Sequence, residues 1–184
     1  MPHKIKGKIA DVSKWQGKID WAKAAKELDF AIIRVQDNTI ADVRLVENIQ
    51  GAEANNVPYG VYAYYRAKTE AAAIEEADRF YDRAVAAGAR PRIWYIDVEN
   101  KLAGWPTQRA AVTAYANRLR ERGAKCVGLY TFNAMYLYLK YIVRLFGDVW
   151  LFDDVWLARY GNKKTNLAGK PGKKPSYPCG PWQY

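Results

Sequence analysis

Two carboxylates placed two residues apart close an apolar run, Ile93-Trp94-Tyr95-Ile96-Asp97-Val98-Glu99-Asn100. A β-strand sends alternate side chains to opposite faces, so Asp97 and Glu99 share one face while Ile96 and Val98 take the other. Crowded, buried carboxylates ionise poorly, which raises the pKa of at least one of them and yields an acid that can still hold its proton near neutral pH. Such a group is suited to general acid catalysis. A solvated strand end, or a structural ion pair with an arginine, would produce the same spacing without any chemistry.

The elements that must position this pair are read from hydrophobic period and turn residues. Strands are expected at Lys8 to Val12, Phe30 to Gln36, Tyr59 to Tyr65, Arg92 to Glu99, Cys126 to Thr131, Val155 to Tyr160 and Pro181 to Tyr184. Helical period marks Ile19 to Glu27, Val43 to Asn55, Thr69 to Ala87, Thr107 to Arg122 and Asn133 to Phe146. Thr69 precedes an Ala/Glu-rich run, and Gly88 and Gly123 follow periodic segments where a left-handed C-terminal cap belongs. Strand and helix in alternation imply right-handed crossovers and a mostly parallel sheet. A full eightfold barrel takes about 250 residues. A chain of 184 residues therefore predicts an α/β fold of the irregular TIM-like (β/α) barrel type with fewer helices than strands, as one domain over 1–184.

Active sites of parallel sheets gather at the C-terminal strand ends. Asp11 ends the first strand there, Asp97 and Glu99 the fourth, Tyr62 and Tyr64 share a face of the third, Tyr130 ends the fifth, and Trp156 and Tyr160 lie on the sixth. Aromatic rings stack on the apolar faces of sugars and offer a polar tip, so acids and aromatics at one mouth suit a carbohydrate, although any single ring could equally be core.

Composition closes other routes. Cys126 and Cys179 are far apart without CxxC spacing and the sole histidine is His3, so neither a metal site nor a Cys-His nucleophile is expected, and both thiols are read as free, Cys126 within a buried strand. No phosphate-cradling glycine loop follows a strand, and no cofactor is expected. No apolar run is long enough to span a membrane, and Met1 to Lys6 lack the core of a signal peptide. The net charge of +10 favours a polyanionic partner, but no nucleic-acid module accompanies it, and Lys163, Lys164, Lys170, Lys173 and Lys174 crowd a Gly/Pro-rich segment, 162–174, that reads as a basic loop or insertion.

Seven motifs in order along nearly the whole chain carry a resemblance: Ile9-Ala10-Asp11-Val12-Ser13-Lys14-Trp15-Gln16-Gly17, Phe30 to Val35, Gly60 to Tyr64, Tyr95-Ile96-Asp97-Val98-Glu99, Gly128 to Thr131, Trp156 to Tyr160 and Trp182-Gln183-Tyr184. Together they resemble family 25 glycoside hydrolases, the Chalaropsis-type lysozymes common among phage endolysins. The resemblance implies an irregular α/β barrel, a monomer, and hydrolysis of the β-1,4 bond between N-acetylmuramic acid and N-acetylglucosamine in bacterial peptidoglycan. It implies Glu99 as proton donor, Asp97 as its ionised neighbour and Asp11 as a further acid, with Tyr62, Tyr64, Tyr130, Trp156, Tyr160 and Gln183 meeting substrate. Strand neighbours two apart have Cα atoms about 6.5 Å from one another, too constrained to flank a sugar ring, so a substrate-assisted, retaining mechanism is expected. Asp11 could instead cap the turn before Ser13.

The chain departs from the family pattern in stopping at Tyr184, where relatives continue to another acid, and in the length of 162–174, which is expected to touch anionic wall polymers. Without an export signal in these residues, the expectation is synthesis in a host cytoplasm and release to the wall at lysis. Rival readings are a catalytically inactive wall-carbohydrate-binding barrel, a chitinase-like hydrolase, whose signature has more aspartates before the terminal glutamate, and, more distantly, a nucleic-acid binder.

Overall fold

A computed structural model describes residues 7–136, 139, 144–145, 149–159, 175–176 and 179–183. The chain builds a curled parallel sheet from β1 (Ile9–Val12), β2 (Phe30–Asp37), β4 (Tyr59–Tyr64), β5 (Trp94–Asp97), β6 (Val127–Phe132), β9 (Asp154–Ala158) and β10 (Trp182–Gln183), paired in that order. β3 (Ile40–Ala41) folds back antiparallel on β2. The helices α1 (Trp21–Ala24), α2 (Leu45–Ala54), α3 (Glu70–Ala86) and α4 (Trp105–Arg122) and a 3-10 turn over Lys14–Gln16 lie between these strands in the chain. This is the mixed, TIM-like architecture expected from the alternation of strand and helix, with fewer helices than strands.

The alternation of apolar residues divides the core into two layers. Ala31, Ile33, Val61, Ala63, Ile96, Val98, Leu129 and Leu157 face outward against Phe80, Tyr115 and Leu119 of α3 and α4. Phe30, Ile32, Tyr62, Ile93, Tyr95, Tyr130 and Trp156 fill the inside of the curl. Asp97 continues the inward series Ile93, Tyr95, so the strand period read from the sequence delivers its carboxyl to the interior of the barrel. Gly128 makes room for this packing, since a side-chain carbon there would lie 2.4 Å from Cε1 of Tyr95.

A bulge interrupts that period. The register of β2 against β4 slips between Arg34 and Gln36. Simple alternation would turn both residues inward, but the extra residue leaves Arg34 on the inner face and sends Gln36 outward, where its amide donates to the Glu76 carbonyl at 3.1 Å. Among the described residues no backbone bonds join β10 to β1. The seam carries a side-chain bond instead, from the Gln183 amide to Asp11 Oδ2 at 3.1 Å.

Sequence-predicted boundaries agree with the structure to within about two residues for most strands, with three differences. The first helix is a single turn, Trp21–Ala24, started by the Asp20 carboxylate accepting the Lys23 N–H at 3.0 Å. The stretch Asn133 to Phe146 is helical at 133–136 and 139, but Arg144–Leu145 (β7) pairs antiparallel with Val149–Trp150 (β8). Three residues that include Gly147 separate this pair, the spacing of a short hairpin, and that signal overrides the helical period at its end. Cys126 lies just before β6 and is partly exposed, rather than within a buried strand. His3, Tyr160, Tyr184 and the basic segment 162–174 lie outside the described residues.

Candidate active site

The inward-facing residues at the C-terminal edge of the sheet are Asp11 from β1, Arg34 from β2, Tyr62 and Tyr64 from β4, Asp97 from β5, Glu99 just beyond it, and Gln183 from β10. The carboxyls of Asp97 and Glu99 are within hydrogen-bond reach of each other. Two carboxylates cannot make such a contact unless one carries a proton. Burial is the main force raising the Asp97 pKa well above the ordinary range, reinforced by the charges of Glu99 and Asp11. Burial also raises Glu99, while its hydrogen bond with Asp97 and the nearby Arg66 charge pull it back.

Asp11 is also raised by burial, against hydrogen bonds from Tyr62 and Gln183 and the charge of Arg34. Three acceptors at this edge are buried without partners: Asp11 Oδ1, Asp97 Oδ1 and Gln183 Oε1. Buried acceptors are nearly always satisfied, so this unpaired set at one sheet edge is available to water or to a ligand's donors.

The aromatic residues divide by depth. Trp156 is 3% exposed and meets Tyr62, Tyr95 and Tyr130 with ring centroids 6.1, 5.5 and 4.3 Å away. With Tyr62 and Tyr130 it forms a buried floor beneath the acids. Tyr64 stands higher, its hydroxyl accepting from Asn100 at 2.7 Å and its face covered by the Arg66 guanidinium at 4.5 Å.

Two neighbouring groups escaped the sequence reading. Arg34 reaches Asp42, with its Nε and a terminal nitrogen each 2.7 Å from Asp42 Oδ2. The Asp42 carboxylate also accepts the backbone N–H groups of Lys14 at 3.0 Å and Arg44 at 2.9 Å. It therefore ties the β1 turn, β2 and the start of α2 to Arg34, a cation that offsets the charge of Asp11.

Glu76 of α3, fully buried, accepts the Arg66 N–H at 3.2 and 3.3 Å and so holds the loop after β4. Burial pushes its carboxyl from 4.5 up to about 7. The folded chain then binds a proton at Glu76 that the unfolded chain has released, so stability falls as pH rises from 4.5 through 7. Glu76→Gln is expected to remove that slope and to stabilise the protein at pH 8 by about 3 kcal/mol, with little effect at pH 4. Urea unfolding of both proteins at pH 4, 6 and 8 measures the difference; parallel curves with a constant offset would contradict it.

Among the described residues, no group of three His, Cys, Asp or Glu side chains is arranged to hold a metal ion, and no helix is long and apolar enough to cross a membrane.

A search of the curated proteins finds no match to this chain. The family model for glycosyl hydrolases family 25 matches residues 10–184. Among solved structures, the chain is similar to the catalytic domain of endolysin ply40 from bacteriophage P40 of Listeria monocytogenes, at 25% identity and a TM-score of 0.84, over 99% of this chain and 85% of that one. The modular autolysin LytC from Streptococcus pneumoniae is similar at 25% identity and a TM-score of 0.73, over 85% of this chain and 38% of its own length. The bacterial lysozyme from Streptomyces coelicolor shares the fold at 21% identity and a TM-score of 0.69, over 97% of this chain and 84% of its own.

Proposed function

The chain belongs to glycosyl hydrolase family 25 and is a glycoside hydrolase, and from that premise we propose that it is a muramidase cutting the β-1,4 bond between N-acetylmuramic acid and N-acetylglucosamine in bacterial peptidoglycan. The observation that carries this reading is the contact between the Asp97 and Glu99 carboxyls at the barrel mouth, beside a second buried acid, Asp11. One proton held between two carboxyls supplies both an acid and an anion.

When the sugar's 2-acetamido group enters, its N–H donates to the free Oδ1 of Asp97, which favours the ionised form there and the protonated form of Glu99. Glu99 then protonates the glycosidic oxygen as the C1–O bond breaks, while the acetamido oxygen attacks C1 from the opposite side. A five-membered oxazolinium ring forms, and the Asp97 carboxylate stabilises its charge. Water next attacks C1, giving its proton to Glu99 and reopening the ring, with net retention. Asp11, held by Tyr62 and Gln183, adds negative charge beside the developing cation. Tyr62, Tyr130 and Trp156 form the floor, and Tyr64 and Gln183 offer polar contacts at the rim. The same reading makes residues 1–184 one catalytic barrel acting as a monomer, without a cofactor, on walls reached at host lysis, with 162–174 near anionic wall polymers.

Purified Gram-positive walls should clear and release fragments with muramic acid at the new reducing ends, the first-formed anomer retaining its configuration. Glucosamine at those ends would reassign the bond, and an inverted anomer would replace acetamido attack by direct attack of water. Binding to walls without clearing would leave an inactive carbohydrate-binding barrel.

A further inference from the structure

Side chains of four tryptophans are described. Trp21, Trp94 and Trp156 are buried, whereas Trp15 is 76% exposed. Its backbone is nonetheless fixed. Ser13 and Gln16 form a capping box around the turn, with the Ser13 N–H donating to Gln16 Oε1 at 2.7 Å and the Trp15 N–H to Ser13 Oγ at 3.4 Å. Gly17 leaves the turn at φ 66°, ψ −149°, a conformation that suits glycine. Asp42 holds the turn from the other side through the Lys14 N–H at 3.0 Å. The ring therefore stands in solvent on a rigid base that begins two residues after Asp11. One face lies near the Lys14 ammonium, 4.9 Å from the ring centroid.

We propose that Trp15 is a stacking platform for a pyranose ring of the bound glycan lying outside the two sugars whose bond is cut, so that the protein grips long strands better than short ones. This rests on the muramidase reading above. The base of the platform is tied to the acid site through the Lys14 N–H, the buried Asp42 carboxylate and Arg34, whose charge acts on Asp11. An exposed ring that is already ordered loses little freedom on binding, and the apolar face of a sugar matches its open surface.

The test compares kcat/KM on long, peptide-free glycan strands with that on a tetrasaccharide of the same repeat. For Trp15→Ala, the advantage of long strands over the tetrasaccharide should shrink about tenfold, as expected when one stacked ring is removed. Trp15→Tyr should keep most of it. A parent that cleaves both substrates, with the ratio unchanged in Trp15→Ala, overturns the platform alone. An effect seen only on walls that still carry peptides overturns it too, by giving the ring a peptide to bind. A parent that cleaves neither substrate overturns the hydrolase reading and the platform with it.

Discussion

Glu99→Gln is expected to lower the rate of wall clearing by about a thousandfold, a typical loss for a general acid, while leaving the fold intact. The amide fills the volume of the acid but has no proton to release to a leaving oxygen. It also removes a negative charge from beside Asp97, whose pKa is raised in part by Glu99. The Asp97 pKa should therefore fall, and the variant should melt no lower than the parent. In the parent, activity needs one proton on the pair, so the alkaline limb of its pH profile should lie above the ordinary carboxylate range. A folded Glu99→Gln that retains a tenth or more of parental activity would remove Glu99 from the chemistry.

The largest expected loss of stability is at Asp42. Its side chain is fully buried and its partner Arg34 is only 15% exposed. Asp42→Ala leaves a guanidinium in the barrel wall without its counter-charge and two backbone N–H groups without their acceptor. Removing one partner of a buried pair costs about 3–5 kcal/mol, far more than the pair itself contributes. Denaturant unfolding of Asp42→Ala beside Asp42→Asn grades the effects, because the amide loses the charge but its one oxygen can still accept one of the two N–H groups, which bind different oxygens of the carboxylate. A cost below about 1 kcal/mol for Asp42→Ala would be the value of an exposed pair and would mean that Arg34 finds another partner.

The strands were legible because two-residue alternation matches their two-sided burial. Asp11, Asp97 and Glu99 were legible because they end such runs. Arg34 was present in a quoted motif and lies on the face that alternation gives it, but its distant partner was not legible, and the outward turn of Gln36 was hidden because a bulge is a property of two strands in register. Asp42 gave no local signal either: its three partners lie on different elements. Glu76 was accessible in principle, for it falls on the stripe Ala73, Glu76, Ala77, Phe80, Ala84, the spacing of a buried helical face. The hairpin of β7 and β8 was hidden by a helical period that runs into it.

The bond between Gln183 and Asp11 joins residues 172 positions apart. During synthesis the first acid leaves the ribosome long before the strand that orients it, and the parallel sheet between them grows one crossover at a time. A nascent chain thus carries its reactive carboxyls without the last group that aims them. On the muramidase reading, cleavage of glycan then waits for β10, and a pulse-labelled translation series should show protease-resistant sheet before any cleavage.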